Sequence, residues 1–356
     1  MTYLFTNPQV KRWKTLFFIS FLFNCFLVVA LYVEAGEEEQ DRLSDPPADT
    51  IGVVAPQAES LPAKERSAGP VVGEPIPVWL TITENFYNAF TADKDIARHA
   101  EHFDFPRLAE ILSVYVSRVL MWDLILHKDV MKGDTLSFVF RMVPAEEMKQ
   151  REDMPDPVEI LAVSYFSNRY NKFIDLFSYY AASKKRRNFY CADGRLLERV
   201  LKNPPIRDHV AVITLFDEYP PKHEGVDFKA PTGTPVYATF DGRITRADWQ
   251  TRFNGYSLEL TAKNGALVAK YLHLAERMAD EGQEIKAGEI IAKSGSTGKA
   301  AVPHLHYQIN AGIRGKALDP FKHHETYFEY LKGDELRKFQ ETVVDYKRIL
   351  KKVVGG

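Results

Sequence analysis

The stretch VPHLHYQI, Val302 to Ile309, sets two imidazoles one residue apart in a run that alternates like a β-strand. On a strand, residues i and i+2 share a face. His304 and His306 therefore stand side by side, and Leu305 between them turns toward the core. With ten histidines in 356 residues, about a quarter of one such pair arises by chance, so the pair alone is a weak signal. Its surroundings give it weight. GTPVYATFDGRITRAD (233–248), YSLELTA (256–262), ALVAKYLHL (266–274), EIIAKSG (289–295) and PHLHYQINAG (303–312) are short strands. Turn signals separate them: Asp241-Gly242, KNG at 263–265, Ala287-Gly288 and GSTG at 295–298. Strands of this length and spacing predict an all-β domain over 206–330.

Two further segments of that domain carry groups able to do chemistry. KHEGVDF (222–228) holds His223 and Asp227. A straight strand would leave them about 13 Å apart, too far to share one ion. A helix would bring them together, but Gly225 and the prolines at 220 and 221 oppose helix. A bend at Gly225 is thus read as a requirement of the site, because glycine tolerates the backbone angles it needs. KYLHLAE (270–276) holds His273, and simple alternation places Tyr271 and His273 on one face. Catalytic zinc takes three protein ligands and keeps one position for water, whose pKa it lowers to about 7. A His, an Asp and a His meet that need. Two further histidines supply the proton acceptor and the oxyanion donor that peptide hydrolysis requires. One imidazole of the 304/306 pair then holds the metal while its neighbour works on the substrate or the water.

The rest of the chain bounds where such a domain acts. The net charge of −2 gives no field for nucleic acid, and the one compact basic run, Lys184 to Arg187, reads as a solvated turn. Two cysteines, Cys25 and Cys191, build no disulfide framework. Lys11, Arg12 and Lys14, in a cytoplasmic segment 1–14, precede the uncharged run TLFFISFLFNCFLVVALYV (15–33), and four glutamates follow it. This predicts a single-pass membrane helix with the N-terminus inside and the bulk of the chain exported; the alternative is a cleaved signal with VEA (33–35) as the cleavage site. Residues 34–75, rich in Glu, Pro and Ala, read as a linker. Over 76–205, RLAEILSVYVSRVLMWDLIL (107–126) has helical spacing, KGDTLSFVFRMV (132–143) and EILAVSYFS (159–167) read as strands, and KFIDLFSYY (172–180) with RRNFYCADGRLLERV (186–200) reads as a hairpin and its exit, predicting a small α+β domain. His99 and His102 in that domain have metal-pair spacing but no nearby third ligand, so a solvated helix face is expected. Residues 331–356 end the chain as an amphipathic helix expected to pack on the outside. The fold class is α+β: an all-β catalytic domain preceded by a small α+β domain and a membrane helix.

HEGVDFKAPTGTPVYATFDGRI (223–244), YLHL (271–274) and GSTGKAAVPHLHYQI (295–309), in that order, resemble the lysostaphin/LytM-type zinc metallo-endopeptidases that cut peptidoglycan. The resemblance covers residues 220–322. It implies a duplicated-hybrid-motif-type β fold with a groove for an extended peptide, one zinc ion on His223, Asp227 and His306, and His273 with His304 as the catalytic pair. KGDTLSFVF (132–140) and YCADGRLLERVLKNPPI (190–206) more faintly resemble the N-terminal domain of the Gram-negative DD-endopeptidase branch. That branch implies the D-Ala–meso-diaminopimelate cross-link as substrate, an N-terminal domain able to restrain the groove, and room for a regulatory protein. The chain departs from the family at ITLFDEYPPK (213–222), at Ala301-Val302-Pro303 and at Gln308, where the family usually has Glu. None of these positions is a ligand. The alternative function is a catalytically silent wall-binding module that activates a partner amidase.

Overall fold

The computed structural model describes residues 70–149, 157–219 and 222–353. The expected membrane run at 15–33, and the expected linker as far as residue 69, lie outside the described residues. No helix among the described residues is long and apolar enough to cross a membrane.

Two large antiparallel sheets and a two-stranded pair carry the described chain, within one compact unit that begins at Pro70. The first is a meander of β1 (Ile76–Thr81), β2 (Thr135–Met142), β3 (Val158–Ser167), β4 (Lys172–Ala181) and β5 (Arg186–Cys191). Helices Phe86–Thr91, Lys94–His102 and Leu108–Leu120 fill the connection from β1 to β2. The first two start where short polar side chains cap them: Asn85 accepts from the Asn88 N–H, and Asp93 from those of Asp95 and Ile96. The third buries Leu108, Leu112, Val116 and Leu120 against Phe138, Phe140 and Tyr165. The opposite face of this sheet is closed by the last helix, Gly333–Val353, which seats Phe339, Val343 and Leu350 on Val139, Leu161, Phe177 and Tyr190. The helix is an outer layer, as its amphipathic pattern predicts, but it covers the sheet from the other end of the chain.

The basic run is not a solvated turn. Lys185 alone is exposed at the tip, while Lys184 pairs with Glu329, Arg187 with Glu159 at 3.1 Å, and Arg186 donates to the His209 carbonyl. The hairpin leans on other parts of the chain, so Lys184, Arg186 and Arg187 are half-buried and paired. His99 lies edge-on to Phe140, and exposed His102 has its Nε2 2.8 Å from the Pro70 carbonyl.

β6 (Val200–Leu201) leads toward the second sheet and pairs with the short strand Thr326–Tyr327. That sheet contains β7 (Ala211–Thr214), β8 (Val226–Lys229), β10 (Gly242–Ala247), β11 (Tyr256–Ala262), β12 (Leu267–Arg277), β13 (Glu284–Ile285) and β15 (His304–Ala311), in the order β13-β10-β11-β12-β15-β8-β7. β9 (Pro235–Tyr237) and β14 (Ile290–Ser294) pair with each other, and β14 also joins the far end of β12. Val226, Phe228, Leu258, Leu260, Leu305, Tyr307 and Ile309 form its core. Trp122, just beyond the helix Leu108–Leu120, lies edge-on to Phe321 at 5.1 Å, and His127 stacks on Tyr219 at 4.2 Å. The helical layer of the first sheet thereby touches the second.

A polar chain crosses this core. The Thr239 N–H donates to Tyr271 Oη at 3.1 Å, Thr239 Oγ1 lies 2.9 Å from Tyr307 Oη, and Tyr307 Oη lies 2.7 Å from His324 Nε2. Burial, then the charge of His323, hold the His324 pKa down to about 4. Tyr307 Oη and His324 Nε2 share a hydrogen bond inside the core, where burial disfavours the imidazolium. Between pH 6.5 and 4 the unfolded chain binds the proton and the folded one does not, so stability is full above 6.5 and falls as pH drops through this window. Urea denaturation is expected to show a loss of up to about 3 kcal/mol from this group, and His324→Gln, which does not titrate, is expected to make the profile shallower over that range while His273, also held near 4, keeps its share of the slope.

Candidate metal centre

β15 alternates as its sequence requires. Leu305, Tyr307 and Ile309 enter the core with no exposure, and His304 and His306 take the other face. Directly across from His306 are Asp227 on β8 and Leu272 on β12. Residues facing each other in an antiparallel pair share a face, so register alone brings His306 and Asp227 together: His306 Nδ1 is 2.8 Å from Asp227 Oδ1.

His223 precedes β8 and folds back on it. Its N–H and C=O both bond to Asp217 at 2.9 Å, and its Nε2 comes within 3.1 Å of Asp227 Oδ2. Gly225 permits this through space and not through backbone angle. Its φ is not in the left-handed region, but a Cβ there would sit 2.6 Å from His306 Nε2 and 2.6 Å from the Tyr307 carbonyl. The glycine is a cradle for the His306 ring. Ligand atoms of His223, Asp227 and His306 all lie within 4.8 Å of one another, and this is the His/Asp cluster of metal-binding spacing among the described residues. His99 and His102 are not part of any such group.

The expectation that Tyr271 and His273 share a face fails. Tyr271 is in the core, while the His273 ring lies 4.8 Å from that of His304 and 6.2 Å from that of His306. The cause is a β-bulge. Register runs Leu258↔Tyr271 and then Tyr256↔Leu274, so Leu272 and His273 together oppose Ser257. His273 adopts φ 62° there, a left-handed conformation costing roughly 1–2 kcal/mol for a residue with a Cβ. The extra residue reverses the alternation and turns the imidazole to the metal side.

Three of the four imidazoles are held by backbone. His223 Nδ1 lies 2.9 Å from the Leu215 carbonyl, His273 Nδ1 2.9 Å from that of Thr297, and His304 Nδ1 2.8 Å from that of Val302. A carbonyl only accepts, so in each neutral ring Nδ1 carries the proton and Nε2 keeps its lone pair for the site. His306 is turned the other way, with Nδ1 on Asp227. Burial opposes charge on Asp227, but His223 and then His306 outweigh it and hold its carboxyl well below the usual range. Burial likewise opposes charge on His223, which Asp227 nevertheless raises above the ordinary imidazole value. Burial, then the charge of His304, push His273 down to about 4. The donor set, the Asp227 carboxylate with His223 Nε2 and His306 Nδ1 turned toward it, fits a zinc ion with open coordination, the metal taking the place of the protons those two nitrogens share with Asp227.

The family departures acquire a physical reading here. Leu215 and Val302 lie in the atypical stretches, yet each contributes only its carbonyl, which any residue supplies. Gln308 is on the metal side of β15, buried, and donates to Asn310 Oδ1 at 2.9 Å. Thr297 was not singled out from the sequence; GSTG signals a turn but not what the turn holds.

Residues 221–320 match the family described as Peptidase family M23, and this stretch is an M23 peptidase domain. The chain is 41% identical over 100 residues to the glycyl-glycine endopeptidase ALE-1 of Staphylococcus capitis, covering 28% of each. It is 32% identical over 130 residues to the peptidoglycan DD-endopeptidase ShyC of Vibrio cholerae, covering 34% of this chain and 29% of that one. It thus spans less than a third of the length of either relative. Among solved structures, the catalytic domain of lysostaphin from Staphylococcus simulans is 35% identical, with 31% of this chain and 87% of that one covered and a TM-score of 0.29. A zinc-containing peptidase from Vibrio cholerae is 22% identical, with 70% and 71% covered and a TM-score of 0.30.

Proposed function

We propose that this protein is a zinc-dependent endopeptidase that hydrolyses peptide cross-links of peptidoglycan, with the D-Ala–meso-diaminopimelate bond as substrate. The reading is carried by one observation: His223 from the turn before β8, Asp227 from β8 and His306 from β15 converge, while His273 and His304, each anchored through Nδ1 to a backbone carbonyl, stand beside them. It is supported by the peptidase family match and by relatives named as peptidoglycan endopeptidases.

His223, Asp227 and His306 hold the ion. Zinc bound there supplies Lewis-acid polarisation of the peptide carbonyl and lowers the pKa of water. The chain's own groups do the rest. Asp227 stays ionised and fixes the His306 ring. His304 and His273 present their Nε2 atoms to the site, where they take the proton of the attacking water, return it to the leaving amine and stabilise the oxyanion. The peptide lies along the metal side of β15 and β12, the side to which the bulge at His273 turns its ring. Residues 15–33 tether the enzyme to the inner membrane and leave this domain in the periplasm, within reach of the wall through the linker.

The test is mass spectrometry of muropeptides released from purified sacculi by the full-length protein, with and without chelator. New uncross-linked muropeptides that vanish on chelation and return with zinc are expected. An unchanged muropeptide profile in the presence of zinc would defeat the proposal.

A further inference from the structure

The bulge that presents His273 has its own support, and it comes from a third segment. Thr297 Oγ1 accepts from the Tyr256 N–H at 3.0 Å and donates to the Leu274 carbonyl at 2.7 Å. Tyr256 and Leu274 are the rung immediately beyond the bulge. One hydroxyl therefore spans β11 and β12 where their register slips. The same residue's carbonyl receives His273 Nδ1–H at 2.9 Å. The chain is packed tightly around it. A Cβ on Gly255, at φ 65°, would lie 2.2 Å from Thr297 Oγ1, and one on Gly298, at φ 73°, would lie 2.2 Å from the Gly255 N. The Lys299 N–H closes the knot on the Phe253 carbonyl at 2.9 Å.

We infer that Thr297 is a positioning residue for His273: its hydroxyl pins the bulge, and that pin holds its carbonyl where it fixes the His273 ring and its tautomer. Neither task is served by a threonine merely filling a turn, which would leave the hydroxyl in water. Here both of its hydrogen-bonding roles go to backbone atoms of two different strands. A left-handed histidine is costly, and a bulge without the bridge is free to slide its extra residue to the next rung, carrying the imidazole toward the core side. The inference rests on the proposed role of His273 at the peptide bond, but its structural half does not depend on activity.

Thr297→Val keeps the shape and removes the hydroxyl; Thr297→Ala removes it with less bulk; Thr297→Ser keeps it. In the zinc-loaded full chain, both hydroxyl-free variants are expected to lower kcat about 10- to 100-fold, the usual cost of losing an orienting partner. KM and zinc content are expected to stay within about twofold, and Thr297→Ser to restore most of kcat. Independently of turnover, the imidazole Nδ1–H of His273, resolved by nitrogen NMR, is expected to lose its protection in the Val and Ala variants. That of His223, which bonds to Leu215, serves as the internal control and is expected to persist. If wild-type protein cleaves no wall peptide, the functional reading fails while the NMR comparison still decides this one. An unaltered His273 signal in both folded variants would overturn the inference, as would a kcat loss that Thr297→Ser does not rescue.

Discussion

Asp227→Ala is expected to remove zinc and peptide hydrolysis together. The carboxylate is the hub of the cluster: His223 Nε2 lies 3.1 Å from one oxygen, His306 Nδ1 2.8 Å and His304 Nε2 3.8 Å from the other. Two imidazoles alone are one donor short of the three that a catalytic zinc site uses. The missing donor is also the charged one, so the remaining rings lose both a co-ligand and the field that favours a cation. Turnover is expected to fall to background, a loss of at least about a thousandfold, and metal analysis to show zinc well below one per chain. Because removing one partner of a buried cluster also costs stability, Asp227→Asn is the companion variant. It keeps volume and a carbonyl oxygen but no charge. Circular dichroism showing a folded Asn variant, with zinc still bound stoichiometrically and hydrolysis at the wild-type rate, would rule out Asp227 as a ligand.

The candidate ligands are legible in the sequence because they are side chains whose type and spacing carry chemistry. His304, His306 and the core direction of Leu305 follow from strand period alone, and the structure keeps that period through β15. What could not be read is everything the backbone does. The carbonyls of Leu215, Thr297 and Val302 orient three imidazoles, and a carbonyl leaves no mark on residue identity. The bulge at His273 inverts the expected face because one residue's slip in register flips every side chain beyond it. Nothing in KYLHLAE announces a histidine at positive φ. Gly225 was marked as necessary, but for its angles, whereas the need comes from a ring packed where its Cβ would be. On the scale of the fold, the elements of 76–205 are legible as a helix and a meander. The closure of that sheet by Gly333–Val353 is not, because amphipathic pattern says that a helix has a partner and not which partner it has.

His304→Ala is expected to separate metal binding from turnover. The ring is buried beside the cluster yet is not among its ligands, and its Nδ1 proton is committed to the Val302 carbonyl. What remains is an Nε2 lone pair 3.8 Å from Asp227 Oδ1, facing the site. A group so placed acts on a proton or an oxyanion, and losing such a group costs about 10²- to 10⁴-fold in kcat. Zinc content is expected to be preserved and KM to change little, since the interaction is realised in the transition state and not in substrate binding. His273→Ala is expected to give a loss of the same order. The two rings lie 4.8 Å apart, so they share one space above the cluster and are expected to work as a unit. The double variant should then lose little more than either single one, in the manner of residues whose effects do not add. Losses that multiply would mean two independent contributions and would break the pairing. Full activity on sacculi in His304→Ala would remove it from the chemistry altogether, leaving its imidazole as a structural prop for the start of β15.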